Sequence, residues 1–198
     1  MIYLSILIAT LESREKQLEE LQKELNTQIA LHGLEDEVEI LTFCDNFDYP
    51  VGMKRNELLE QATGLFTVFV DDDDKVSQDY IIDIVTAIKS NPSIDCIGLK
   101  GKLFSKSLGN KEFIHSTKYN QYSEDEHYYY RPPNHLNPIR ADISKQVKFP
   151  VLNRGEDFDW SMQLVGKKVL NTEIFIDKVL YYYIFDWDLT EAQKVRRL

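Results

Sequence analysis

Four consecutive aspartates, Asp71 to Asp74, close the apolar run Leu65-Phe66-Thr67-Val68-Phe69-Val70. A strand that stops abruptly in carboxylates is a place to hold a hard divalent cation. Mg2+ and Mn2+ prefer oxygen ligands, and a site of one or two carboxylates leaves coordination positions open for the phosphates of a substrate. A short acidic run is also a common solvated turn, so its meaning depends on what the fold brings beside it. Two other apolar runs end in polar residues: Thr10 follows Ile2 to Ala9, and Asp45 follows Val38 to Phe43 and Cys44. Lys54 and Arg55 lie at the start of the helix expected next and offer donors to a phosphate, Arg55 with forked geometry. As members of a first helical turn they suit a solvated surface equally well.

Such residues act together only if a scaffold gathers them. Leu18, Leu21, Leu25 and Ile29 recur at helical spacing up to Gly33, a C-terminal cap. A helix is expected from about Met53 to Thr63, closing at Gly64, before the third strand, Leu65 to Val70. Ser77 is placed to cap a helix carrying Ile81, Ile84, Val85 and Ile88, which Asn91 and Pro92 stop, and Ile94 to Leu99 reads as a fourth strand. Strands alternating with helices over the first hundred residues argue a parallel sheet of right-handed β-α-β units. In such sheets ligands bind beyond the carboxyl ends of the strands. Thr10, Asp45 and Asp71 to Asp73 are thereby expected on one edge.

The second half is less regular. Lys102 to Phe104 and Phe113 to Ser116 suit a hairpin turning around Gly109 and Asn110. Tyr119 to Pro138, rich in Tyr, Pro and Asn and carrying Glu124, Asp125 and Glu126, reads as a long loop or lid. Helices are expected near Ala141 to Val147 and Phe158 to Val165, strands at Val169 to Ile176 and Val179 to Phe185, and a helix stub over Thr190 to Leu198 with Lys194, Arg196 and Arg197. One domain over 1–198 is the economical division, with a regular first half over about 1–100 and an irregular second half over about 101–198.

Composition narrows the partners. With 198 residues and 43% hydrophobic content the chain can bury a sizeable core. Its formal charge of −10, from 33 acidic against 23 basic residues, repels nucleic acid and anionic membranes while leaving room for a nucleotide held through a metal. Cys44 and Cys96 lack metal-ligand spacing and read as two buried thiols in a reducing compartment. The apolar stretch Ile2 to Ala9 is too short for a membrane span and has no basic region before it. A soluble, cytoplasmic protein is the expectation.

The segments Leu4-Ser-Ile-Leu-Ile-Ala-Thr10, Gly52-Met-Lys-Arg-Asn56, Val68-Phe-Val-Asp-Asp-Asp-Asp74 and Gly155-Glu-Asp-Phe-Asp159 occur in order over residues 4 to about 165. Together they resemble family 2 glycosyltransferases with the GT-A fold, an α/β architecture with a Rossmann-related, mostly parallel central sheet flanked by helices. The resemblance implies a nucleotide diphosphate sugar as donor, usually UDP-linked, a glycan or other hydroxyl-bearing acceptor, Mn2+ or Mg2+ as cofactor, and inversion at the anomeric carbon. It implies that Thr10 and Asp45 contact the nucleotide, Asp45 facing the base, that Arg55 stands near the nucleotide, and that Asp71 and Asp72 lie by the ribose and diphosphate. Asp73, third position of an Asp-x-Asp motif, would ligate the metal, although four aspartates permit a slip of one.

Glu156 and Asp157 match the Glu-Asp pair that opens an acceptor-side helix in that family, where the aspartate is the usual catalytic base. An N-terminal helix carboxylate that favours the dipole suits the same position. Asp159 is a substitute that points elsewhere on the helix. His135 stands in the long loop where it could approach metal or acceptor, or bond a loop carbonyl; Tyr128, Tyr129, Tyr130, Arg131 and Trp160 could face a sugar or fill the core. The chain lacks the Gln-x-x-Arg-Trp motif of processive synthases, so one sugar per encounter is expected. Its length suits one part of a larger protein as well as a short natural end. A nucleotidyltransferase would use similar carboxylates but usually shows a glycine-rich basic loop where this chain has Thr10-Leu-Glu-Ser-Arg14. A non-catalytic nucleotide-sugar or carbohydrate-binding subunit would need no base.

Overall fold

A computed structural model describes residues 1–105 and 109–185. The helix stub expected over Thr190 to Leu198 lies outside the described residues. The chain runs β1 (Leu4–Leu11), α1 (Glu15–His32), β2 (Val38–Asp45), α2 (Val51–Gln61), β3 (Phe66–Phe69), β4 (Lys75–Val76), α3 (Tyr80–Ser90) and β5 (Cys96–Phe104). It continues through β6 (Lys111–His115), β7 (Ser123–Glu124), β8 (Tyr128–Arg131), β9 (Ile139–Arg140), α4 (Ala141–Ser144), α5 (Glu156–Lys167) and β10 (Glu173–Ile184).

Among the described residues these strands form one sheet in the order β2-β1-β3-β9-β5-β6-β8-β7, with β10 beside β5 and β4. Strands β2, β1 and β3 are parallel, with Leu4 facing both Val38 and Phe66. Leu4 to Ile8 of β1 are all buried, as a parallel strand covered on both faces requires. Side chains alternate across the sheet, so Ile6 and Ile8 pack toward Leu21, Leu25, Ile84 and Ile88 of α1 and α3, whereas Leu7 packs toward Leu58, Phe149 and Leu164 of the opposite layer. Each such side chain, fully buried, contributes about 1.5–3 kcal/mol. Their packing fixes the strand ends.

Several expectations are corrected. β1 starts and ends two residues later than expected, so Thr10 lies inside the strand rather than after it. Ser77 does not cap α3: the buried Gln28 of α1 takes that role, its Oε1 accepting from Ile81 N (3.1 Å) while its Nε2 donates to Ser77 O (2.8 Å). A side chain reaching over from a packed helix satisfies the orphan donor that a local hydroxyl would otherwise meet. Cys44 is exposed on the edge strand, and only Cys96 is buried.

The expected hairpin forms from β5 and β6, which pair antiparallel from Leu99–His115 to Leu103–Lys111. Tyr119 to Pro138, expected as a loop or lid, is instead built into the sheet. Tyr128 to Arg131 pair in parallel with β6, and the following stretch is pinned by Phe69 N donating to His135 O (2.9 Å) and Ile97 N donating to Pro138 O (2.8 Å). The two strands expected at Val169 to Phe185 are one, β10, with irregular pairing between Ile176 and Tyr181. The helix expected from Phe158 begins at Glu156, because Gly155 turns the chain at φ 76°, a left-handed conformation that glycine adopts freely.

Candidate active site

The carboxyl ends of β1, β2 and β3 do converge, and the side chains there are locked by ion pairs. Thr10 Oγ1 donates to Asp72 Oδ2 (2.5 Å), and Arg14 Nη1 reaches both Asp72 (2.6 Å) and Asp73 (2.9 Å). Lys54 Nζ donates to Asp45 Oδ1 (2.6 Å) and to Thr10 O (2.8 Å). Arg55 Nη2 bonds Asp71 (3.0 Å), and its Nε lies 3.3 Å from Glu156. Lys54 and Arg55 are therefore buried, not members of a solvated first turn. Gly52 makes that placement possible: a Cβ there would sit 1.9 Å from Pro150 O, so only glycine lets the first turn of α2 back against that segment.

The four aspartates divide by alternation. Asp72 and Asp74 are 3% and 5% exposed and do structural work. Asp74 accepts from the Tyr181 hydroxyl (2.7 Å) and Ile184 N (2.8 Å), and the same hydroxyl accepts from Asp71 N (3.1 Å), tying β10 to the end of β3. The side chains of Asp71 and Asp73 are 30% and 45% exposed and border a cleft that the buried Asp72 also lines. Burial would raise the Asp71 carboxyl, but the Arg55 guanidinium first, and the His135 ring beside it, hold it well below the usual carboxylate range. Asp73 is pushed the other way, first by burial and then by Asp71 and Asp72, against the pull of Arg14. Glu156 is also raised, chiefly by burial, despite Arg55.

Two clefts meet here. The first, about 370 Å³, is bordered by Thr10, Arg14, Phe47, Tyr49, Asp71 and Asp73. The second, about 380 Å³, is bordered by Tyr122, Tyr129, Arg131, His135 and Asp157. Arg55, Asp71, Glu156, Asn153 and Tyr183 border both, so the buried Arg55 ion-pair cluster stands between them. His135 also sits at this junction, its Nε2 3.4 Å from Asp71 and its Nδ1 3.7 Å from Asp157. A turn holds it in place, with Leu136 N donating to the Asn134 side chain (3.0 Å) and Asn137 N to Asn134 O (3.0 Å).

His115, also on the second cleft, bonds Asn137 (3.1 Å), and burial pushes its ring down to about 3. The folded protein keeps it neutral while the unfolded chain protonates it from about pH 6.5 downward, so its contribution to stability is full above that pH and is lost as pH falls toward 3. The urea-unfolding gap between wild type and His115→Asn is expected to narrow by roughly 1 to 2 kcal/mol from pH 7 to pH 5. A gap independent of pH would contradict this placement.

The structure thus brings together Thr10, Arg55, Asp71, Asp72, Asp73, His135, Glu156 and Asp157. It does not bring Asp45 to a cleft wall: both its oxygens are engaged below the surface by Lys54 and by Tyr49 N (2.8 Å), which together outweigh burial and keep its pKa lowered. Asp159 is exposed outside both clefts. Trp160 belongs to the core, 2% exposed and stacked on Phe149 at 4.7 Å with planes 3° apart. The sequence places Tyr181 and Tyr183 only at the end of a strand, and gives Arg14, Phe47 and Tyr49 no site role. Arg14 does stand four residues past Thr10, within reach of the same strand edge, a spacing that pointed to it.

No family model matches the chain, and no curated protein matches it. Solved structures do. S. aureus TarS 1–349 in complex with UDP superposes with a TM-score of 0.63 at 20% identity, covering 93% of this chain and 61% of that one. The same protein in complex with UDP-GlcNAc gives 0.62 at 19% identity, covering 93% and 59%. A197 from STIV gives 0.51 at 14% identity, covering 93% and 87%. The chain spans about three-fifths of TarS 1–349. The likeness shows the fold, a mixed α/β domain whose mostly parallel sheet is flanked by helices.

Proposed function

We propose that this chain transfers a sugar from a nucleoside diphosphate donor, most simply UDP-linked, to an acceptor hydroxyl, with inversion and one sugar per encounter. The observation that carries the reading is the pair of clefts joined at Arg55, Asp71 and Glu156, with strand-end carboxylates in the first and Asp157 in the second. TarS, a structure of the same fold, has been solved with UDP and with UDP-GlcNAc, which supports a nucleotide sugar in the first cleft.

Mn2+ or Mg2+ fits the donors present. Asp73 faces the first cleft with Asp71 beside it, and among the described residues no three metal-ligating side chains form a closed cage. One or two carboxylates are the protein share expected where substrate phosphates complete the coordination. Asp73 would hold the cation, which when bound neutralises charge on the leaving diphosphate as a Lewis acid. Arg14 already neutralises Asp72 and Asp73 from the cleft wall. Arg55 keeps Asp71 and Glu156 in place from its buried position between the clefts.

The second cleft then holds the acceptor. Arg131 stacks on Tyr122 (4.3 Å) and Tyr129 (5.1 Å), which presents flat surfaces to a sugar ring. Asp157, 35% exposed, accepts the proton of the attacking hydroxyl. Attack from the second cleft on a donor in the first comes from the side opposite the diphosphate, which inverts the anomeric carbon. Among the described residues no helix is long and apolar enough to cross a membrane.

Calorimetry tests the donor site. UDP is expected to bind wild type at least about tenfold more tightly with Mn2+ than with excess chelator, a difference of about 1.4 kcal/mol. Asp73→Asn should bind equally in both buffers, at the weaker level. Equal affinity of wild type in the two buffers, or an undiminished metal effect in Asp73→Asn, would remove the metal assignment.

A further inference from the structure

The first cleft has an open rim built by the short loop between β2 and α2. Phe47 stands there with 52% of its surface exposed, in a left-handed backbone conformation at φ 62°. Such a conformation costs free energy in any residue with a Cβ, and persists only where the surroundings enforce it. Here the enforcing contacts are visible. Asp45 Oδ2 accepts from Tyr49 N (2.8 Å), while Asp45 Oδ1 is held by the buried Lys54 (2.6 Å), so the loop is tied at its base and Phe47 is pushed outward at its crest. Tyr49, 46% exposed, borders the same cleft and is braced edge-on by Phe43 at 5.9 Å. A strained backbone that lifts an apolar ring into water has no packing rationale within the fold.

We propose that Phe47 and Tyr49 form the platform on which the planar base of the nucleoside diphosphate stacks, and that Asp45 serves by tying this loop rather than by touching the base. The proposal rests on the first cleft being the donor site. The geometry places the aromatic rim at the β2 end of the cleft, while Asp71 and Asp73 sit at the β3 end, with β1 between the two strands. A ligand with an aromatic head and an anionic, metal-bridged tail matches that polarity. Stacking accepts any base, so this contact supplies affinity rather than choice among bases.

Two probes separate the contributions: UDP, which carries a base, and inorganic pyrophosphate, which does not, each titrated in Mn2+. Phe47→Ala is expected to weaken UDP about 5- to 150-fold, the range for losing one base-stacking ring, and to leave pyrophosphate within twofold of wild type. Phe47→Trp should retain UDP. Phe47→Gly should lose UDP as the alanine variant does, yet raise the melting temperature of the unliganded protein by about 2 to 4 °C, because glycine relieves the strained backbone. A platform kept for binding at a cost in stability predicts that opposition; a packing residue does not. UDP affinity within twofold of wild type in both the Ala and Gly variants, or equal losses for UDP and pyrophosphate, would overturn the stacking assignment while leaving the donor cleft intact. Failure of wild type to bind either probe would overturn the donor cleft and the platform together.

Discussion

Asp157→Asn is expected to keep donor affinity nearly intact while slowing sugar transfer at least about a hundredfold, the lower range for losing a general base. Asp157 borders the second cleft and not the first, and the buried Arg55 is paired directly with Asp71 and Glu156, Asp157 adding to the field around it without an ion pair. Its carboxylate lies 3.7 Å from His135 Nδ1, at the junction of the clefts. The substitution is nearly isosteric, so α5 should form as before. Single-turnover rates within a few-fold of wild type would move the base to another group, and Glu156 is the carboxyl next to it. Collapse of donor affinity would instead make Asp157 a binding residue.

Arg55→Met has the largest expected effect on stability. The guanidinium is buried against Asp71 (3.0 Å) and Glu156 (3.3 Å) and lies over the rings of Phe69 (5.1 Å) and Phe149 (5.7 Å). Methionine fills much of the volume but leaves two carboxylates without their cation, and breaking a buried pair in that way costs about 3–5 kcal/mol. For a chain of this size the melting temperature should fall by about 6 to 20 °C. Pairing the change with Glu156→Gln should recover part of the loss, because one of the stranded charges is then gone. A single variant melting within 2 °C of wild type would show that the cluster contributes little to holding the two clefts together.

The scaffold was legible because parallel strands end on the same side: once Ile2 to Ala9, Val38 to Phe43 and Leu65 to Val70 are read as strands, Thr10, Asp45 and Asp71 must share an edge. What sequence could not give was the division of labour among Asp71 to Asp74. That depends on Tyr181 and Ile184, more than a hundred residues further along, turning Asp74 inward, and on Arg14 and Thr10 claiming Asp72. Lys54 and Arg55 look like surface residues for the same reason, since their carboxylate partners come from other elements. The segment ending in Pro138 misled through its composition. Its turn-forming Asn134 and Asn137 bond one another and Ile97 O inside the fold instead of facing water. Phe47 did carry a local signal, an aromatic residue inside the short polar turn Asp45-Asn-Phe-Asp-Tyr-Pro50, where apolar bulk has no element to pack under.

Thermal unfolding across a nucleotide panel, with Mn2+ and with excess chelator, tests the central claim most directly, since a ligand bound only by the folded chain stabilises it by about 2.7 kcal/mol at a hundred times its Kd. UDP and a UDP-sugar at that excess are expected to raise the melting temperature by about 5 to 10 °C in Mn2+ and markedly less in chelator. No shift with any nucleoside diphosphate or nucleotide sugar, in either buffer, would contradict a nucleotide-sugar site in this protein.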